Sequence, residues 1–181
     1  MQVIKKSIEG LIEIIPAVYK DERGSFFETF NKETFEAKGI PTHFVQDNQS
    51  FSKKGVVRGL HFQRAPFAQG KLVRVVSGRV LDVAVDIRPD SPTFGQYETV
   101  ELSAELNNLF YVPEGFAHGF VALEDSIFIY KCTNVYNKAS EGGIIWNDPD
   151  LNIDWQITNP IVSEKDLQLP TFKGYFDQIP S

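Results

Sequence analysis

At 181 residues, 42% hydrophobic and 23% charged, the chain is long enough to close one sizeable core, too apolar for a disordered segment and too short for a multi-domain machine. Eighteen Lys and Arg against 24 Asp and Glu, a formal charge of −6, oppose attraction to nucleic acid or an anionic membrane surface. A small basic pocket can still hold one phosphorylated ligand.

Turn residues at short intervals, 15 Phe and many Val and Ile predict short strands with little helix. Strands are expected at residues 3–8, 11–18 and 25–30, punctuated by Gly10, Pro16 and Gly24. A helix over 32–38 follows Asn31, a good N-cap, and stops at Gly39. Further strands fall at 56–62, 71–77, 96–102 and 109–112. The clearest strand is 81–88, where Leu81, Val83, Val85 and Ile87 alternate with Asp82, Ala84, Asp86 and Arg88 before Pro89. A second alternating run over 127–135 turns Phe128, Tyr130, Cys132, Asn134 and, just beyond it, Tyr136 to one side. A helical turn starts at Ser163, and patterning weakens from about 150, as expected of an extension folding back on the body.

Many short strands with few helices predict an all-β domain spanning 1–181, with a double-sheet jelly roll as the leading architecture. No apolar run approaches the roughly 18 residues of a membrane-spanning helix. Glu9 and Glu13 interrupt any leader-like stretch after Lys5 and Lys6, and the single Cys132 builds no internal disulfide. No membrane association and a cytoplasmic location are expected.

Two of the three histidines sit beside glycine-rich strand ends, His61 in GVVRGLHFQ and His118 in VPEGFAHGF. The spacing of Gly55 to His61, and of Pro113, Gly115 and His118, resembles the two metal-binding motifs of the cupin jelly rolls. Gln63 stands where a second histidine is needed, and no Glu occupies the third-ligand position. Two imidazoles fall short of the usual three protein ligands, so no metal and no other cofactor is expected.

The ordered series GVVRGLHFQ, AQGKLVRVVSGRVLDVAVDIRPDSPTFG, VPEGFAHGFVAL, YKCTNVY and IIWNDPDLNIDW resembles the dTDP-4-dehydrorhamnose 3,5-epimerases, metal-free cupin enzymes. The resemblance implies a cupin-like double-stranded β-helix and inversion of C3 and C5 of a dTDP-4-keto-6-deoxyhexose. It implies that His61 removes protons acidified by the C4 ketone, Asp166 orients and stabilises the charged imidazole, Lys71 holds the enolate oxygen and Tyr130 returns a proton from the opposite face. It further implies substrate contacts from Arg23, Glu28, Gln46, Asp47, Asn48, Arg58, His118, Glu141 and Lys165, and a homodimer whose exchanged N-terminal strands bring Arg23 and Glu28 to the neighbouring site.

From the residues alone, Asp166 could equally close a helical turn with Ser163, and Tyr130 could merely fill the barrel. Arg58 and His61 have opposite strand parity, so a shared pocket requires a bulge, expected at Gly59. Gln49 and Leu106 depart from the commonest family pattern, which bears on fine substrate preference. Rival readings are an epimerase inverting one carbon, a nucleotide-sugar-binding cupin without catalysis and a metal-dependent oxygenase.

Overall fold

A computed structural model describes residues 1–177. In chain order the strands are β1 (Gln2–Lys5), β2 (Ile12–Ile15), β3 (Tyr19–Asp21), β4 (Gly24–Phe26), β5 (Gln46–Ser52), β6 (Val56–Gln63), β7 (Lys71–Ser77), β8 (Arg79–Asp86), β9 (Tyr97–Ser103), β10 (Leu109–Val112), β11 (Phe116–Ala122), β12 (Ser126–Cys132), β13 (Glu141–Gly143) and β14 (Ile161–Val162). Three short helices are α1 (Lys32–Glu36), α2 (Glu164–Leu167) and α3 (Phe172–Phe176). One sheet runs β1-β2-β10-β7-β12-β5; the other runs β13-β6-β11-β8-β9, with β14 added in parallel to β6. The two sheets face each other as the double-sheet jelly roll expected from the strand pattern. Among the described residues no helix is long and apolar enough to cross a membrane.

Between the sheets, Val73, Val75, Val80, Val100, Leu102, Phe110, Phe116, Phe120 and Phe128 form a buried apolar cluster. Each such side chain contributes about 1.5–3 kcal/mol of burial. Two further clusters cover the outer faces. Phe35 and Ile40 pack with Ile14, Leu72, Leu109 and Tyr111 on the first sheet. Leu151, Trp155 and Phe172 from the C-terminal segment pack with Val57, Leu60, Phe62, Leu81, Val83 and Val85 on the second.

That last layer alters the meaning of the alternation in β8. Its Leu81, Val83 and Val85 point outward beneath the C-terminal segment, so the aspartates at 82 and 86 sit on the opposite side, and both are fully buried. Burying a carboxylate demands a partner for it. Asp86 binds the Arg88 guanidinium at 2.7 and 2.9 Å and accepts from the Ser91 and Thr93 hydroxyls at 2.6 Å, which ends the strand before Pro89. The partners of Asp82 lie in the cavity.

Several predicted strands are shorter than their apolar runs. The 25–30 run contributes only β4, paired with β3 in an exposed hairpin, because Phe30 turns away to pack edge-on against Phe35 and Phe44. The strands β5 and β11 were absent from the sequence expectation. The sequence of β5, QDNQSFS, is polar on both sides, and β11 contains Gly119 and His118 within a continuously buried run, so neither shows the two-residue hydrophobic period.

Candidate active site

Between the sheets the apolar packing gives way to polar side chains around a cavity of about 530 Å³, within the size range of small-molecule sites. The β6 wall supplies His61 and Arg58, β11 supplies His118, β7 supplies Lys71, β12 supplies Tyr130, and α2 with its preceding segment supplies Asp166 and Lys165.

Arg58 and His61 reach the same cavity through a bulge. Across the β6–β11 ladder, His61 pairs with His118 but Arg58 pairs with Phe120, so three residue steps on β6 match two on β11. The extra residue reverses strand parity. Gly59 makes this possible: its φ is +125°, and a Cβ there would stand 2.7 Å from the Gly119 Cα and 2.9 Å from the His118 carbonyl oxygen. Glycine avoids both the left-handed penalty and the collision.

The His61 ring is about one-third exposed (34%), while the Asp166 carboxylate is nearly buried (6%). Their His61 Nε2 to Asp166 Oδ1 separation is 2.8 Å, and the Gly59 amide donates to Asp166 Oδ2 at 3.3 Å. Ser163 caps α2 by accepting from the Asp166 backbone N–H at 3.1 Å. The helix is therefore closed by the Ser163 hydroxyl, and the Asp166 carboxylate is left to the imidazole. Burial works against that carboxylate, but the hydrogen bond and charge of His61, the Gly59 amide and Lys165 outweigh it and hold its pKa below the ordinary carboxylate value.

A second imidazole–carboxylate pair lies on the inner wall. His118 Nε2 is 2.8 Å from Asp82 Oδ1 and 3.0 Å from Oδ2, with both side chains buried. Burial raises the Asp82 pKa, opposed by the charges of His118 and Lys71. Burial likewise lowers the Lys71 pKa, opposed by Cys132, Asp82 and Glu141. In its ammonium form Lys71 stabilises any oxygen on which negative charge develops nearby. Tyr130 is pushed upward by burial and by Cys132, with Arg58 acting in the other direction, so its phenol retains its proton at neutral pH.

At the mouth, Lys165 Nζ binds both oxygens of Glu141 at 2.8 and 2.9 Å, and the Tyr136 hydroxyl donates to Glu141 at 3.2 Å. Gln46 donates to Asn48 at 3.1 Å, and both side chains line the opening. Arg58, at the rim, donates to Ser52 Oγ at 2.9 Å and to the Phe51 carbonyl at 3.1 Å.

Three expected contacts are not brought to this cavity. Asp47 follows strand parity onto the outer face of β5, where its 71% exposed side chain accepts from Lys131 at 3.0 and 3.1 Å. Arg23 belongs to the β3–β4 hairpin and is paired with Asp21 at 2.6 Å. Glu28, just after the hairpin, accepts from Asn31 at 2.9 Å. The departures Gln49 and Leu106 also lie away from the chemistry, Gln49 on the outer face of β5 and Leu106 exposed in the β9–β10 turn.

Asp82 and Tyr136 join the site although neither was among the expected site residues. An aspartate alternating with valines reads as a solvated strand face unless the outer covering is known. Tyr136 lies beyond the end of β12 but lines the cavity mouth together with Tyr130, the side to which the alternation turned both.

The donor set does not fit a metal ion. The Gln63 amide, at the second-histidine position of the cupin motif, is occupied by backbone groups, and no group of three His, Cys, Asp or Glu side chains that could hold a metal ion occurs among the described residues.

Residues 5–174 match the family model described as dTDP-4-dehydrorhamnose 3,5-epimerase. The protein of that name from Shigella flexneri is 54% identical over 169 residues, covering 92% of this chain and 93% of its own. A crystal structure of the corresponding protein from Elizabethkingia anophelis superposes with a TM-score of 0.90 at 51% identity, covering 96% of this chain and 97% of that one. The Legionella pneumophila protein, solved in complex with dTDP-4-keto-L-rhamnose, superposes with a TM-score of 0.91 at 46% identity, covering 99% and 94%.

Proposed function

The chain belongs to the dTDP-4-dehydrorhamnose 3,5-epimerase family, and on that premise we propose that it inverts C3 and C5 of dTDP-4-dehydro-6-deoxy-D-glucose to give dTDP-4-dehydro-L-rhamnose. It is an isomerase. The observation that carries the residue-level reading is the carboxylate-backed imidazole of His61 on one sheet and the protonated phenol of Tyr130 on the other, lining one cavity with Lys71.

The C4 ketone acidifies the protons on its neighbouring carbons. His61 removes such a proton, and the imidazolium formed gains from the charge of Asp166 at 2.8 Å. The electron pair moves onto the C4 oxygen, where the Lys71 ammonium stabilises it. Tyr130 delivers a proton to the other face of the carbon, and the configuration inverts. His118, oriented by Asp82, hydrogen-bonds the sugar, while Arg58, Lys165, Glu141, Gln46 and Asn48 meet the nucleotide portion at the mouth. The reaction so drawn carries every proton and charge on His61, Asp166, Lys71 and Tyr130 and needs no metal.

Arg23 and Glu28 serve a second copy's site in a homodimer. Supporting this, the β3–β4 hairpin is exposed, with Tyr19 and Phe26 each 68% accessible, an apolar surface suited to a partner.

The test is incubation with the keto-sugar in deuterated water followed by NMR assignment. Deuterium at both C3 and C5 is the expected result. Label at one carbon replaces the reading with a single inversion, and binding without exchange replaces it with a non-catalytic cupin.

A further inference from the structure

Gln63 occupies the position where the cupin metal motif carries its second histidine, and its side chain is 8% exposed. Its amide makes three bonds, all to backbone. Nε2 donates to the Phe67 carbonyl at 2.5 Å and to the Val135 carbonyl at 3.1 Å, and Oε1 accepts from the Asn137 N–H at 2.7 Å. Both amide protons and the oxygen are thus used.

These bonds join three segments. Gln63 lies two residues beyond His61 on β6; Phe67 belongs to the loop leading into Lys71; Val135 and Asn137 flank Tyr136. Two parallel ties strengthen the junction: Gln69 donates to the Asn134 carbonyl at 2.7 Å, and Asn134 donates to the Pro66 carbonyl at 3.1 Å. Among the described residues, the loop beyond β12 is otherwise fastened at Tyr136 only by its own N–H to Gln46 Oε1 at 2.9 Å and its hydroxyl to Glu141. Tyr136 itself is 54% exposed and lines the mouth beside Gln46, Asn48, His61 and Lys71. An exposed aromatic side chain on a loop holds one orientation only if the backbone on either side of it is held.

We propose that Gln63 is a positioning residue: it clamps the backbone on both sides of Tyr136, so that this ring is pre-organised at the cavity mouth and contributes to substrate affinity. The role rests on the epimerase reading above and adds to it a source of affinity located in the wall rather than in a contact. Pre-organisation of this kind lowers the ordering cost of binding and leaves the reacting groups untouched.

The test is Gln63→Met, similar in length and neutral, combined with Tyr136→Ala in a double-mutant cycle. With Gln63→Met alone, KM for the keto-sugar and Kd for dTDP should each rise about tenfold, roughly the 1.4 kcal/mol of one decade, while kcat changes by less than about threefold. In the Tyr136→Ala background the same substitution should raise KM by less than about twofold, since the clamp then has no ring to position. An equal KM rise in both backgrounds, an unchanged KM, or a loss confined to kcat overturns the proposal. Should Gln63→Met not fold, Gln69→Met, which removes the parallel tie to Asn134, must show the same dependence on Tyr136, and its absence is equally decisive. Wild-type protein that binds dTDP but does not turn over the keto-sugar refutes the epimerase reading alone, and the dTDP affinities then still decide the clamp.

Discussion

Replacing Gly59 by alanine tests the bulge that brings Arg58 and His61 to one cavity. Two costs add at this position. The φ of +125° lies where an L side chain is strained by about 1–3 kcal/mol. The new methyl group would also meet the Gly119 Cα at 2.7 Å and the His118 carbonyl at 2.9 Å. Both are backbone atoms of β11, so neither can swing aside like a side chain. Parting the two strands should cost a further 1–3 kcal/mol or so, as in other overpacked interiors. Gly24 supplies the control, because its φ is +129° and nothing lies within 4 Å of the corresponding Cβ. Urea unfolding followed by tryptophan fluorescence should therefore show Gly59→Ala destabilised by about 2–6 kcal/mol and Gly24→Ala by only the first contribution, about 1–3. At roughly 2–4 °C per kcal/mol for a chain of this size, the Gly59 variant should melt several degrees below the Gly24 variant. Equal stabilities of the two variants would show that the close approach of β6 and β11 carries no cost and refute the account of the bulge.

Asp166→Asn should leave the fold and the dTDP affinity close to wild type, because the Ser163 hydroxyl and not the carboxylate caps α2. It should lower kcat about 10²–10⁴-fold, through loss of the imidazolium partner; single-turnover kinetics beside calorimetry will separate the two, and a kcat within threefold of wild type rules out the paired-base assignment. Tyr130→Phe should suppress product about 10²-fold or more while His61-dependent deuterium wash-in persists; equal loss of both would reassign the proton donor. Asp86→Ala should destabilise the protein by about 3 kcal/mol or more at neutral pH, since it leaves Arg88 without its buried partner. Burial opposes the charge of Asp86, but Arg88, Ser91 and Thr93 more than compensate and depress its folded pKa. Its stabilisation is thus present above the unfolded value of about 3.9 and is lost as pH falls through the folded value. The gap between wild type and Asp86→Ala in urea midpoints should narrow below about pH 4, and a gap that widens on acidification would contradict the depressed pKa.

The amino-acid sequence was sufficient for the sheet-rich architecture and for most core strands, because two-residue periodicity is a property of neighbouring residues, whereas the grouping of His61, Lys71 and Tyr130 came only with the family resemblance of the ordered motifs. Given the shared pocket that the resemblance implies for Arg58 and His61, their opposite parity pointed to a bulge near Gly59, since parity is a local count. Four matters lay beyond the sequence, each set by contacts between distant segments. The C-terminal layer covering Leu81, Val83 and Val85 turned Asp82 from a solvated strand residue into a buried partner of His118. Pairing of the polar strand β5 decided that Gln46 and Asn48 face the cavity while Asp47 faces Lys131. The α2 turn freed the Asp166 carboxylate for His61, 105 residues away along the chain. Lastly, the destination of the Gln63 amide, on two loops separate in sequence, could be read only once both loops were folded beside β6. Local steric and hydrophobic preferences determine what a segment can be; the side of a strand that carries chemistry depends on which surface is covered, and covering is a property of the whole fold.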